Sequence, residues 1–101
     1  PKDRFKVVFQ SRFGPKEWLR PYADEFIEEL GHQGYKRVAV VSPAFFSDCV
    51  ETLEEIAIGL DEIFKKAGGD QLIALDCLNA SDEGITVLES MVRNELKGWV
   101  D

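Results

Sequence analysis

Two nearly unbroken apolar runs, RVAVVSP at residues 37–43 and QLIALD at residues 71–76, lack the in-and-out alternation of a strand with one wet face. Such runs read as strands buried on both sides, as in a parallel sheet covered by helices. A third β-rich stretch, FKVVFQ, lies at residues 5–10. Helical patterns separate and follow the three. The first spans about residues 21–30, with Tyr22, Ala23, Phe26, Ile27 and Leu30 at helical spacing, Pro21 in its first turn and Gly31 or Gly34 at its end. The second, about residues 48–66, starts at Ser47 or Asp48, stops at Gly68-Gly69 and carries an apolar stripe of Val50, Leu53, Ala57, Leu60 and Phe64. The third, about residues 82–97, shows Ile85, Leu88, Val92 and Leu96 on one face behind a Ser81 cap. The order β-α-β-α-β-α predicts a three-layer, Rossmann-like α/β domain with a parallel sheet and right-handed crossovers. A chain of 101 residues holds one such domain.

The net charge of −7 argues against nucleic acid and anionic membrane surfaces as main partners. No apolar run approaches the roughly 18 residues of a membrane span, and no signal peptide is visible at the start. Cys49 and Cys77 are too few for a disulfide framework and stand in no metal-ligand spacing, so the expected compartment is reducing and cytoplasmic. The chain opens on PKDRF, without a methionine and almost directly into a β-rich segment, which suggests a piece of a longer protein.

Open α/β sheets keep their chemistry at the carboxyl ends of the strands. SDCVETLEEI (residues 47–56) follows the second of these ends and puts four acids into ten residues. At about 100° per residue, Asp48, Glu51, Glu55 and Glu62 fall within about 60° of one another, opposite the apolar stripe. Such a line is either a solvated face or a path for a cation. Ile58 beside it is an odd neighbour for water alone, and the helix dipole stabilises charge at Asp48 and Glu51. Glu54 and Asp61 fall elsewhere and read as surface charges. In SRFGPKEWLRPY, Trp18 sits on a Gly-Pro loop, where its ring could face a flat ligand or pack under its own loop; Phe45 and Phe46 pose the same choice. His32 lies at the wrong end of the sheet for a site. No nucleophile–base pair, phosphate loop or zinc signature is present.

The long runs FQSRFGPKEWLRPYADE and VVSPAFFSDCVETLEEI, followed by AGG and CLN, resemble the C-terminal half of a bacterial ferrochelatase. The resemblance implies a two-domain enzyme that inserts Fe²⁺ into protoporphyrin IX in the last step of protohaem synthesis. Iron would be a substrate, and no prosthetic group is required. Glu51 matches the active-site glutamate, and Asp48 and Glu55 match flanking acids on the metal route. Trp18 matches a tryptophan lining the macrocycle pocket, Phe45 matches an aromatic near it, and Gln10, Ser11 and Arg12 fall in a strand-end segment of the same cleft. Where many members continue the acidic line, this chain has Gly59. The family's catalytic histidine belongs to the N-terminal half, and His32 does not match it. Residues 1–101 alone are therefore expected to be inactive and to need that N-terminal domain as a partner; peripheral membrane contact stays open. The competing readings are a cobalt or nickel tetrapyrrole chelatase, a non-catalytic porphyrin-binding module and an inert fragment.

Overall fold

The computed structural model describes residues 2–11 and 14–100. After a short 3₁₀ turn (Lys2–Arg4) come helix α1 (Ala23–His32), strand β1 (Arg37–Val40) and a π-helix (Glu51–Leu60) that continues into α2 (Asp61–Lys66). Strand β2 (Gln71–Ala74) and helix α3 (Asp82–Glu95) complete the order. β1 and β2 pair in parallel, Val38 opposite Leu72 and Val40 opposite Ala74. The α/β class predicted from the sequence is the class observed.

Phe64 is fully buried, packed among Ala23, Ile27, Ile56, Leu60 and Leu72. Val8, Val38, Val40 and Ala74 close this cluster from the sheet side. α1 lies against α2 so closely that a Cβ on Gly31 would sit 2.5 Å from the Cβ of Ala67 and 3.1 Å from the carbonyl oxygen of Phe64. Gly31→Ala is therefore expected to cost about 1–3 kcal/mol through overpacking. A urea unfolding curve measures this, and an unchanged midpoint would contradict the contact. α2 ends at Gly68, whose φ of +107° suits glycine, and the Gly69 N–H closes the turn on the Phe64 carbonyl at 2.9 Å.

Three expectations change. The segment at residues 5–10 does not join the sheet as a strand. Its bridge is Phe9 with Tyr22: the Phe9 N–H donates to the Pro21 carbonyl (2.9 Å), and the Ala23 N–H donates to that of Phe9 (2.8 Å). Pairing stops there because α1 begins at Ala23 and its backbone turns to helical bonds. Pro21 accordingly precedes the helix instead of starting it.

The described residues, secondly, cover the sheet on one face only. Val38, Val40, Leu72 and Ala74 face the helices, while Val41, Ile73 and Leu75 are exposed. The third layer is not closed by the described residues. Helix α3, finally, is capped as predicted, with the Gly84 N–H donating to Ser81 Oγ at 3.1 Å. It buries only Gly84, however, and leaves Ile85, Leu88, Val92 and Leu96 exposed. Among the described residues no helix is long and apolar enough to cross a membrane.

Candidate functional site

The second helix is wound differently from the α-helix that its sequence suggests. Over Glu51–Leu60 it is a π-helix, bonded i→i+5, a form found mostly in short pieces and often at functional sites. Its wider turn brings residues four apart, rather than alternately three and four apart, onto one line. Thr52, Ile56, Leu60 and Phe64 are the buried line, at 5%, 3%, 5% and 0% exposure. Val50 and Leu53, expected in the apolar stripe, are 68% and 56% exposed. Glu51, Glu55 and Gly59 form the adjacent line. The same spacing puts Asp48 in register with Thr52, on the inward side, and leaves Glu62 in register with Ile58. The single acidic line of Asp48, Glu51, Glu55 and Glu62 is thereby split.

Asp48 precedes the helix, and its carboxylate is fully engaged. Its Oδ1 accepts from Thr52 Oγ1 (2.7 Å), and its Oδ2 accepts from Asn79 Nδ2 (2.8 Å) and the Cys77 N–H (3.2 Å). The Asn79 amide first, then the Thr52 hydroxyl and the Cys77 N–H, hold its carboxyl at about 2, below the ordinary 3.8. A carboxyl lowered in the folded state contributes stability above its unfolded value, and loses it as pH falls through the folded one. The window is therefore about pH 4 to pH 2. Across it, the stability difference between wild type and Asp48→Asn, followed by thermal melts, should shrink steadily. A difference that stays constant would contradict these bonds. Burial and the Asp48 carboxylate together push the Cys77 thiol up, so Cys77 stays a protonated packing group.

Glu55 faces the other way. Ser11 Oγ lies 2.9 Å from both of its carboxylate oxygens and donates to them. Ser11 is held for this in a left-handed conformation (φ +61°) at the end of the first β-rich segment. Gln10 Nε2 reaches the Glu51 carbonyl at 3.4 Å, tying the same segment to the start of the helix. Phe9, Gln10 and Ser11 on one side, and Glu55, Ile58 and Gly59 on the other, line an open cleft of about 780 Å³. The Glu51 carboxylate is exposed, and the Cys49 thiol and its own backbone N–H hold it below the usual carboxylate range. It is ionised at neutral pH, as a group that attracts a dication must be.

The Trp18 loop is stapled to the start of α1. The Trp18 N–H donates to the Tyr22 hydroxyl at 3.3 Å, and the Arg20 guanidinium stacks 4.3 Å from the centre of the Tyr22 ring. The Trp18 side chain stays 47% exposed, with Pro15 to Leu19 forming a shallow apolar hollow. Phe45 is half-buried after β1. Neither lines the cleft beside Glu55. Arg12 lies outside the described residues.

The model of the ferrochelatase family matches residues 1–96. The chain belongs to the ferrochelatase family. A ferrochelatase of Allorhizobium ampelinum is 56% identical over 100 residues, which are 99% of this chain and 29% of that protein. Ferrochelatases of Rhizobium meliloti and Agrobacterium fabrum are 54% and 56% identical, over 99% and 95% of this chain and 30% and 28% of their own lengths. The chain thus spans less than a third of the curated relatives that it matches.

Within this part of a ferrochelatase-family protein the carboxylates stand in a row, not in a closed chelate. Among the described residues no three His, Cys, Asp or Glu side chains converge to hold a metal. Three residues escaped the sequence reading. Glu54, taken as a surface charge, lines the cleft. Asp61 accepts from the Leu72 N–H (3.1 Å) while paired with Lys65 (2.8 Å), so it fastens the helix to β2. Asn79 binds Asp48 from 31 residues away, a pairing with no local signal in the sequence.

Proposed function

We propose that the full-length protein inserts Fe²⁺ into protoporphyrin IX, and that this chain supplies the metal-facing wall of its site. The observation that carries the reading is the Glu51–Glu55 line on a π-helix, tied to the first β-rich segment through Gln10 and Ser11, with Glu55 lining the open cleft. Metal insertion exchanges one dication for two pyrrole N–H protons. The site therefore needs ionised carboxylates on the metal side and a proton acceptor near the ring. Glu51, with its lowered pKa, suits the first task better than the second. Glu55 is the next carboxylate along the same line, and Ser11 orients it. Asp48, with both oxygens bonded, serves as an anchor of the helix and not as a metal ligand.

The exposed Trp18 ring, with Phe45, offers apolar surface to the macrocycle, and protons leave to a base outside this chain, in the remaining part of the protein. The two free cysteines suit a reducing cytoplasm.

Purified full-length protein, given protoporphyrin IX and Fe²⁺ without oxygen, should form haem, read as loss of porphyrin fluorescence and growth of the haem Soret band. Co²⁺ and Ni²⁺ are run in parallel with other tetrapyrroles. Insertion of those metals into another macrocycle, with none of iron into protoporphyrin, would overturn the assignment.

A further inference from the structure

Asn79 stands in the turn after β2 with a left-handed backbone, φ +53°. Its side chain uses every hydrogen-bonding group that it has. Oδ1 accepts from the Asp48 N–H (2.8 Å); Nδ2 donates to Asp48 Oδ2 (2.8 Å) and to the Cys77 carbonyl (3.0 Å). Its backbone N–H donates to the Phe46 carbonyl at 2.9 Å. One residue thus joins the loop after β1 to the loop after β2.

The clamp continues into the π-helix. Thr52 Oγ1 donates to Asp48 Oδ1 and accepts from the Cys49 N–H (3.0 Å), and Thr52 is buried. Val50, the residue just before this helix, offers no side-chain cap. Glu51 lies between the two clamped residues, Asp48 and Thr52. With Thr52 pinned inward, Glu51 is held on the adjacent, exposed line. Asn79 is itself confined, because a Cβ on Gly84 would meet its carbonyl oxygen at 2.5 Å.

We propose that Asn79 is a positioning residue for metal insertion, setting the phase of the π-helix through Asp48 and Thr52 so that Glu51 faces the incoming dication. This rests on the function proposed above. A primary amide is required because it must donate to a carboxylate and accept from a backbone N–H at once. An aspartate would set two carboxylates against each other, and an alanine would bond neither.

The test uses full-length protein. Asn79→Gly keeps the left-handed turn, which glycine adopts freely, and removes the amide. It is expected to lower kcat for Fe²⁺ insertion about 10- to 100-fold, the usual loss when an outer-shell partner is removed. KM for protoporphyrin IX should stay within about threefold, since no macrocycle contact is touched. Thr52→Val and Thr52→Ser provide an independent arm. The valine variant should lose kcat in the same way, and the serine variant, which keeps the hydroxyl, should recover most of it. Wild-type kcat in Asn79→Gly overturns the proposal, as does a serine variant as impaired as the valine one. Glu51→Gln separates the two levels of the account. If it is inactive while Asn79→Gly is normal, only the clamp fails; if it is fully active, the assignment of the site fails with it.

Discussion

Glu51→Gln in the full-length protein is expected to lower the rate of Fe²⁺ insertion by about a hundredfold or more, the range for losing a carboxylate that holds or moves charge at the reacting centre. Glutamine keeps the length and shape of the side chain, and Glu51 is exposed. The substitution therefore removes charge without disturbing packing, and stability should change by no more than about 0.5 kcal/mol. The Thr52, Ile56 and Leu60 line that seats the helix is untouched. Steady-state haem formation, with a thermal melt of the same sample, measures both quantities. Near-normal turnover would remove Glu51 from the mechanism.

Phe64→Ala should have the largest effect on stability, a loss of about 3–5 kcal/mol. Phe64 has no exposed surface and joins α1, the π-helix and β2 in one cluster through Ala23, Ile27, Ile56, Leu60 and Leu72. Gly69 is a glycine because a Cβ there would run into the Phe64 ring, so the backbone closes tightly over it. Domains are typically stable by only about 5–15 kcal/mol, so the variant should lose a large share of that in a urea titration. Phe64→Leu should fall between the two. An unfolding midpoint close to wild type in Phe64→Ala would mean that the core lies elsewhere.

The elements that the sequence revealed are those whose signals are local. The apolar runs around Val38–Val40 and Leu72–Ala74 became strands, Gly68-Gly69 stopped the second helix, and Ser81 capped the third. The winding of the second helix left no such signal. An α period places Val50 and Leu53 inside, whereas the π-turn places Thr52 and Ile56 there. That change of phase moved Asp48 from the acidic line to an anchor shared with Asn79, a partner 31 residues away. Asp61 escaped for a related reason, because its backbone partner Leu72 lies on the next strand. Glu51 and Glu55 survived the change because a spacing of four keeps them in one line under either winding. The exposed stripe of α3 and the open face of the sheet follow the apolar pattern correctly, but the described residues do not cover them.

The most direct test is to locate the metal. Crystals of the full-length protein soaked without oxygen in Fe²⁺ or Co²⁺, and measured at the metal absorption edge, should show a peak within coordination distance of the Glu51 or Glu55 carboxylate. That peak should vanish in Glu51→Gln. A metal bound elsewhere in active protein, with these carboxylates unoccupied, would contradict the claim that the π-helix carries the dication to the porphyrin.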